Sequence, residues 1–534
     1  MEPVGLSLID IFVFLAFFAV VIGVSLYKSR GEETGEDFFL ASRGLLWPLI
    51  GLSLIAANIS TEHFVGMAGQ GAGIAGMAIA SYEWMAAICL VFVCIFFLPK
   101  FLSAGLFTMP EFLEYRYNPA ARALMAFYTM LIYVFVTISS VIYSGGLTLQ
   151  TLFGDLSNSN HLLYSILVIG FIAAIYTIWG GLKAVAWADL FQGSALIIGG
   201  AITMVLGFIA VGGPGAFFEH NADKLHVILP SDHSVIPWTA LVIGLWIPNF
   251  YYWGLNQYIT QRTLAAKTLR QGQLGVIFAA GLKLIIPFVI IFPGIMAYQL
   301  YRDQMIGPSG TDAAYPLLIR NLVTPGFRAF IFASISGAVI SSLASMLNSA
   351  STIFTMDIYK RHINENASSR SLITTGRITT GIFVVIGCLI APNLNHPKLQ
   401  GIFTYIQEFQ GFISPGVLAA FAFGLIFKRA PVQCGVVALI LNPVIYGLLL
   451  IFFGNLPLSE DLGIKIGEIA FLNRMAITFI IIILTLAIMT IVKPLAQPKE
   501  IPSRKEFDMK PTPAVKWLGI SVIAVTLILY IIFW

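Results

Sequence analysis

The chain has 534 residues, of which 58% are hydrophobic and only 10% charged, and its mean hydropathy is +0.87. A soluble domain carries about 25% charged residues, so water is excluded as the main solvent, and membrane spans rather than soluble domains are the units to count. The net charge of +4 comes from loop lysines and arginines and does not point to a nucleic-acid partner.

Fourteen apolar stretches of near-bilayer length follow along the chain: 8–27, 46–70, 76–98, 121–150, 162–180, 184–211, 237–257, 274–300, 327–354, 374–392, 401–427, 433–453, 472–492 and 517–534. The first lacks a basic leader and a small-residue cleavage site, so it reads as a span and not a signal peptide. Only helices or closed barrels can satisfy every backbone group in lipid, and continuous apolar runs without alternation select helices. The four cysteines, Cys89, Cys94, Cys388 and Cys434, all fall in these runs, where thiols behave as small hydrophobes. The polar connections are too short to fold as domains of their own.

With the N-terminus outside, 22 lysines and arginines fall on inner loops and 7 on outer ones, and Lys283 is left within the membrane. By the positive-inside rule this asymmetry places both termini outside. Asp189 lies near an inner helix end, where a local pair with Lys183 is the plain alternative to a functional role.

Polar groups within the spans cluster, and each is a functional hypothesis because burying it is costly. The second span reads Ala56-Ala57-Asn58-Ile59-Ser60-Thr61-Glu62-His63, then Gly66, Gly69, Gly71 and Gly73, which predicts an unwound helix. Glu83 and Lys283 sit mid-span; a structural ion pair is one reading, and a neutral, hydrogen-bond-rich site for a hydroxylated ligand is the other. In the seventh span, Pro248 in Trp246-Ile247-Pro248-Asn249 predicts a second break. Two interrupted helices in corresponding halves point to an inverted-repeat transporter with a midplane site. Glycines used only for helix packing are the alternative, but packing has no need of Asn58, Glu62 and His63.

The ninth span carries Ser334, Ala338, Ser341, Ser342, Ser345 and Ser349 on one helical face. Such small residues allow close helix approach; beside a broken helix, hydroxyls and freed carbonyls also form an oxygen cage suited to sodium. Tyr252, Trp253, Tyr82, Trp84 and Phe403 offer flat faces on which a pyranose can stack, and Gln407 and Glu408 add polar groups in the eleventh span. Gly71-Ala72-Gly73-Ile74-Ala75-Gly76 matches a dinucleotide fingerprint but joins two spans instead of a strand and a helix. Neither HExxH, GxSxG nor a Walker loop occurs, which argues against a membrane hydrolase and against ATP coupling within this chain.

Several blocks are distinctive: Asp37-Phe38-Phe39-Leu40-Ala41, Ser53 to Ser60, Tyr82-Glu83-Trp84, Gly180-Gly181-Leu182, Gln261 to Lys267, Ser341 to Ser349 and Phe354 to Tyr359. Over nearly the whole chain they resemble the sodium/solute symporter family, in its sodium/glucose cotransporter branch, and most nearly the bacterial sodium/galactose symporters. The resemblance implies an all-α polytopic membrane protein of fourteen transmembrane helices with a LeuT-type five-plus-five inverted repeat. Its parts are an extra helix at 8–27, repeats at 46–211 and 237–427, and extra helices at 433–534.

It further implies a sodium site from the carbonyls of Ala56, Ile59 and Ala338 and the hydroxyls of Ser341 and Ser342. The implied sugar site comprises Asn58, His63, Glu83, Asn249, Lys283 and Gln407, with Tyr252 stacking under the ring as the inner gate and Trp253 beside it, and with Met67, Tyr82 and Phe403 closing the outer side. Tyr133 and Ser60 are further carry-overs. Asp189 and Ser345 match a second sodium site, but Ala344 stands where two-sodium members have a threonine, so one sodium per sugar is expected. His63 and Ala86 match the animal glucose transporters instead of the bacterial galactose ones and leave the hexose open. The expected activity is sodium-coupled symport of glucose or galactose, with no cofactor beyond sodium as coupling ion and the lipid bilayer and the sugar as partners. The implied location is the bacterial inner membrane. A symporter for inositol or an amino acid, and a sugar sensor without flux, are the competing readings.

Overall fold

The structure, a computed structural model, describes residues 8–30, 34–153, 159–305, 310–324, 326–394, 402–454, 463–503, 508–510 and 512–534. Among them every extended element is helical, and the only bridge between backbone segments of β type joins Leu45 to Ala266. The main helices are α1 (Leu8–Lys28), α2 (Trp47–Asn58), α3 (Glu62–Ala72), α4 (Gly76–Ala104), α5 (Pro119–Gln150) and α6 (Ser159–Ala210). They continue as α7 (Trp246–Leu255), α8 (Gln257–Leu264), α9 (Leu269–Tyr301), α10 (Phe327–Ile353), α11 (Ser369–Ile390) and α12 (Ile402–Gln410). The last are α13 (Ser414–Ile426), α14 (Gln433–Phe453), α15 (Phe471–Val492) and α16 (Pro513–Ile532).

Ten helices among the described residues are long and apolar enough to cross a bilayer, eleven if the bent pair α2 and α3 is one span. The fourteen expected crossings are therefore not fourteen continuous helices. Segments 237–257 and 401–427 are built from shorter pieces, and 162–180 is the first part of α6. Within α6 the chain turns at Gly181, whose φ of 48° and ψ of −158° are open only to glycine. The boundary expected between 162–180 and 184–211 lies there.

The break expected in the second span is present. α2 ends at Asn58, Ile59 is extended at φ −81° and ψ 106°, and α3 leaves at an angle of 57°. The break expected at Pro248 is not. Pro248 is the third residue of α7, where its missing N–H would have had no partner in the helix; the chain departs from the helix at Asn256 instead, with φ −79° and ψ 123°.

Almost wholly buried, α10 is the central pillar; it packs against α6, α1 and α2. Contacts between connections sort into two ends of the bundle. At one end Arg328 pairs with Asp10 at 3.1 Å, Lys224 reaches Gly73, and Val227 N–H donates to Phe533 at 2.8 Å. At the other, Arg122 pairs with Asp357 at 2.6 Å and with Glu114 at 2.9 Å, and Lys499 donates to the Tyr117 carbonyl at 2.7 Å. Each contact joins residues that the expected topology assigns to the same side. Arg116, expected as an inner-loop marker, is fully buried and donates to the carbonyls of Gly424 at 2.8 Å and Phe427 at 2.6 Å, closing the otherwise unpaired C-terminus of α13.

Close helix approach is set by glycine. A Cβ at Gly294 of α9 would lie 2.2 Å from the Ala68 carbonyl of α3. Gly294→Ala should cost about 1–3 kcal/mol by overpacking and lower the melting temperature in detergent. Gly281→Ala on the same helix meets nothing within 4 Å and should leave it unchanged.

Candidate functional site

The helix break opens onto a cavity lined by Asn58, Glu62, His63, Met67, Tyr82, Glu83, Pro248, Asn249, Tyr252, Trp253, Gln407 and Gln410. It holds about 50 Å³ of free space, room for roughly three to five waters at about 10–15 Å³ each. Seven of the eight residues expected to bind solute line it, and the eighth, Lys283, donates into the same cluster. Met67 and Tyr82 line it as well, whereas the Phe403 side chain lies outside the described residues.

Lys283 Nζ, fully buried, donates to Glu83 Oε2 and to Asn58 Oδ1. It stands 4.8 Å from the centre of the Trp253 ring, whose face attracts a desolvated cation. The second carboxylate oxygen of Glu83 is 3.4 Å from His63 Nε2, while His63 Nδ1 is buried with no hydrogen-bond partner. Asn58 turns its amide hydrogen to Tyr252 Oη at 3.0 Å, and Tyr258 Oη donates to the same oxygen at 2.6 Å. Tyr133, which accepts from Tyr258 N–H at 3.1 Å and donates to Asn256, extends the polar network beside the cavity. Asn249 spends its amide group on the Leu245 carbonyl at 3.0 Å, and Ser60 accepts from Glu62 N–H at 3.2 Å.

Two expectations need correction. Glu408, expected beside Gln407 in the pathway, does not line the cavity: it pairs with Arg474 at 2.8 Å and accepts from Tyr446 Oη at 3.0 Å. Gln407 and Gln410, three apart, share the inward face of α12 instead. Nor is Asp189 a local partner of Lys183: its carboxylate meets the buried guanidinium of Arg262 at 3.0 Å and accepts from Ser53 and Ser341. Arg262 also donates to Ser53 Oγ at 2.5 Å, to Ser345 Oγ and to the Tyr258 carbonyl.

Two of the expected sodium ligands, Ser342 and Ala56, meet at the break. Ser342 Oγ donates to the carbonyls of Ala56 at 3.3 Å and Ala57 at 3.0 Å, joining α10 to the last turn of α2. Ser341, one residue earlier, reaches Asp189. Ala56, Ile59, Ala338, Ser341, Ser342 and Ser345 are all buried, and the site offers carbonyl and hydroxyl oxygens, the donor set of a hard cation.

A family model described as the sodium:solute symporter family matches residues 38–442. The chain belongs to the sodium:solute symporter family. A Vibrio parahaemolyticus protein named sodium/glucose cotransporter is 42% identical over 465 residues, 82% of this chain and 84% of the relative. A rabbit protein (Oryctolagus cuniculus) named sodium/myo-inositol cotransporter 2 is 33% identical over 461 residues, 79% of this chain and 66% of its own. A solved sodium-coupled sialic acid symporter, substrate-bound and outward-open, shares the fold with a TM-score of 0.79 at 22% identity, covering 92% of this chain and 99% of that one. This multi-pass member of the sodium:solute symporters is therefore a sodium-coupled transporter and not an enzyme.

Sequence reasoning missed Gln410, Tyr258 and Arg262 as parts of the site. Arg262 stands in the quoted run Gln261 to Lys267, but a cation after an apolar span reads first as an inner-loop marker. Breaking a buried ion pair leaves a lone charge, at a cost of about 3–5 kcal/mol. Glu83→Gln and Lys283→Met should each lower the melting temperature, and the double variant should lose less than the sum of the two single losses.

Proposed function

We propose that the protein carries a neutral hexose, glucose or galactose, together with one sodium ion by alternating access. The observation that carries this reading is the Lys283–Glu83–Asn58 cluster set against the Tyr252 and Trp253 rings. Its charges cancel, so it favours no charged solute. It presents donors and acceptors to hydroxyls, and the rings offer their faces to the C–H side of a pyranose. The relative named sodium/glucose cotransporter supports the hexose. Relatives named sodium/myo-inositol cotransporter 2 favour a second reading, a cyclic polyol with the same hydroxyl chemistry.

In this account Asn58, His63, Glu83, Asn249, Lys283 and Gln407 exchange their mutual hydrogen bonds for bonds to sugar hydroxyls, and the small cavity widens as they do. Tyr252, with Trp253 beside it under the sugar, forms the inner gate, and Met67, Tyr82 and Phe403 the outer one. Sodium is held by the Ala56, Ile59 and Ala338 carbonyls with Ser341 and Ser342, and it draws α2 against α10. Arg262 already neutralises Asp189 and occupies Ser345, which supports one ion, not two. One charge moving through the membrane potential supplies about 2.3 kcal/mol per 100 mV. The same reading has fourteen crossings, repeats at 46–211 and 237–427, both termini outside, and a bacterial inner membrane as the location.

Proteoliposomes with inward sodium, potassium or proton gradients should take up labelled D-glucose or D-galactose only with sodium; uptake indifferent to sodium contradicts the coupling. In the same assay Ser342→Ala should raise the sodium concentration for half-maximal uptake by about tenfold, the loss of about 1.4 kcal/mol. Gln407→Ala should raise that of the sugar by a similar factor, and preferential uptake of myo-inositol would favour the polyol.

A further inference from the structure

The outer half of the broken helix carries Glu62, His63 and Met67 into the cavity, and among the described residues a lysine, Lys224, bonds its C-terminus. Lys224 lies in the connection between α6 and α7. Its ammonium donates to the carbonyls of Ala72 at 2.9 Å and Gly73 at 2.6 Å, where α3 ends. These carbonyls have no partner within the helix, and a cation beside them also opposes the negative end of the helix dipole. The ammonium lies 4.2 Å from the centre of the Tyr298 ring of α9, and burial draws its pKa below the ordinary lysine value.

The same residue meets the turn a second time through its backbone. Gly76 has φ +52°, and a Cβ there would lie 2.4 Å from the Lys224 carbonyl oxygen. The turn from Gly73 to Gly76 is thus wrapped around Lys224, with side chain on one flank and main chain on the other. That turn joins α3, bearing His63, to α4, bearing Tyr82 and Glu83. Elsewhere α3 is fitted closely: a Cβ at Gly69 would meet Asp312 Oδ1 at 2.6 Å. Lys224 is the charged group that bonds the end of the half-helix.

We propose that Lys224 is a positioning residue for transport: by tying the end of the outer half-helix to the loop between α6 and α7, it sets His63 against Glu83 across the solute cavity. This rests on reading the cavity as the solute site. Lys224 touches no solute, so its removal should act on apparent affinity and leave the turnover of the loaded carrier nearly intact.

The test compares Lys224→Met, Lys224→Arg and Gly76→Ala in purified full-length protein. Lys224→Met should raise the half-saturation concentration for labelled D-glucose or D-galactose about tenfold, a change of about 1.4 kcal/mol, with the maximal rate within about twofold. Lys224→Arg, which keeps the charge and the donors, should recover most of the affinity. Gly76→Ala should reproduce the defect, and the Met/Ala double variant should be no worse than either alone.

A second readout needs no sugar. Spin labels at Ile74 and Phe327, which are 71% and 60% exposed, should give a narrow distance distribution in wild type and Lys224→Arg and a broadened one in Lys224→Met. The four native cysteines are buried and do not compete for label. Unchanged half-saturation and unchanged distances in Lys224→Met overturn the proposal, as does a fall in maximal rate that arginine fails to restore. If wild type takes up none of the sugars, the reading of the cavity falls, and the spin-label comparison still decides the role of Lys224.

Discussion

In a bilayer every backbone donor and acceptor needs a partner from the protein itself, and the break between Asn58 and Glu62 is where α2 and α3 cannot supply one another. Ser342 meets that need by donating to the Ala56 and Ala57 carbonyls. The constraint ties the almost wholly buried helix α10 to the break, and the polar groups of the site gather around that seam. A break without the serine face would leave carbonyls unpaired in hydrocarbon, each at a cost of several kcal/mol. The serine face without a break would serve only helix packing.

Two buried cations organise what surrounds the seam. Lys283 gathers Glu83, Asn58 and the Trp253 face on the cavity side. Arg262 gathers Asp189, Ser53, Ser345 and the Tyr258 carbonyl on the other side of Tyr258. Tyr258 connects them, because its backbone binds Arg262 and its hydroxyl binds Tyr252 beneath the cavity. The Asp189–Arg262 cluster therefore has a short polar path to Tyr252 at the cavity. Isolated charges at these depths would be prohibitive, and their mutual pairing is what makes them tolerable.

Much of this was legible in the sequence, and the reasons differ by residue. The helical class follows from composition, and the break follows from Asn58, Glu62 and His63 amid glycines, because nothing in lipid tolerates such a run without cause. Lys283 and Glu83, 200 residues apart, could be paired because few other mid-span charges were available. Pro248 misled because a proline in the first turn of a helix breaks nothing, and the start of α7 is set by the shorter helical turn before it. Glu408 misled because its partner, Arg474, comes from an auxiliary helix whose neighbours the sequence does not reveal. Arg262 was read as a topology marker; only packing shows that it is buried and paired with Asp189. The number of crossings blurred for a similar reason: the segments at 237–257 and 401–427 are apolar enough to span yet interrupted where they border the site.

The central claim is that one sodium, held at the seam of α2 and α10, is coupled to each solute molecule. Its most direct test is the ratio of net charge to labelled hexose moved by wild-type protein in voltage-clamped proteoliposomes. The account predicts one positive charge per sugar over a range of sodium gradients. A ratio of two, or uptake that carries no charge, would contradict it.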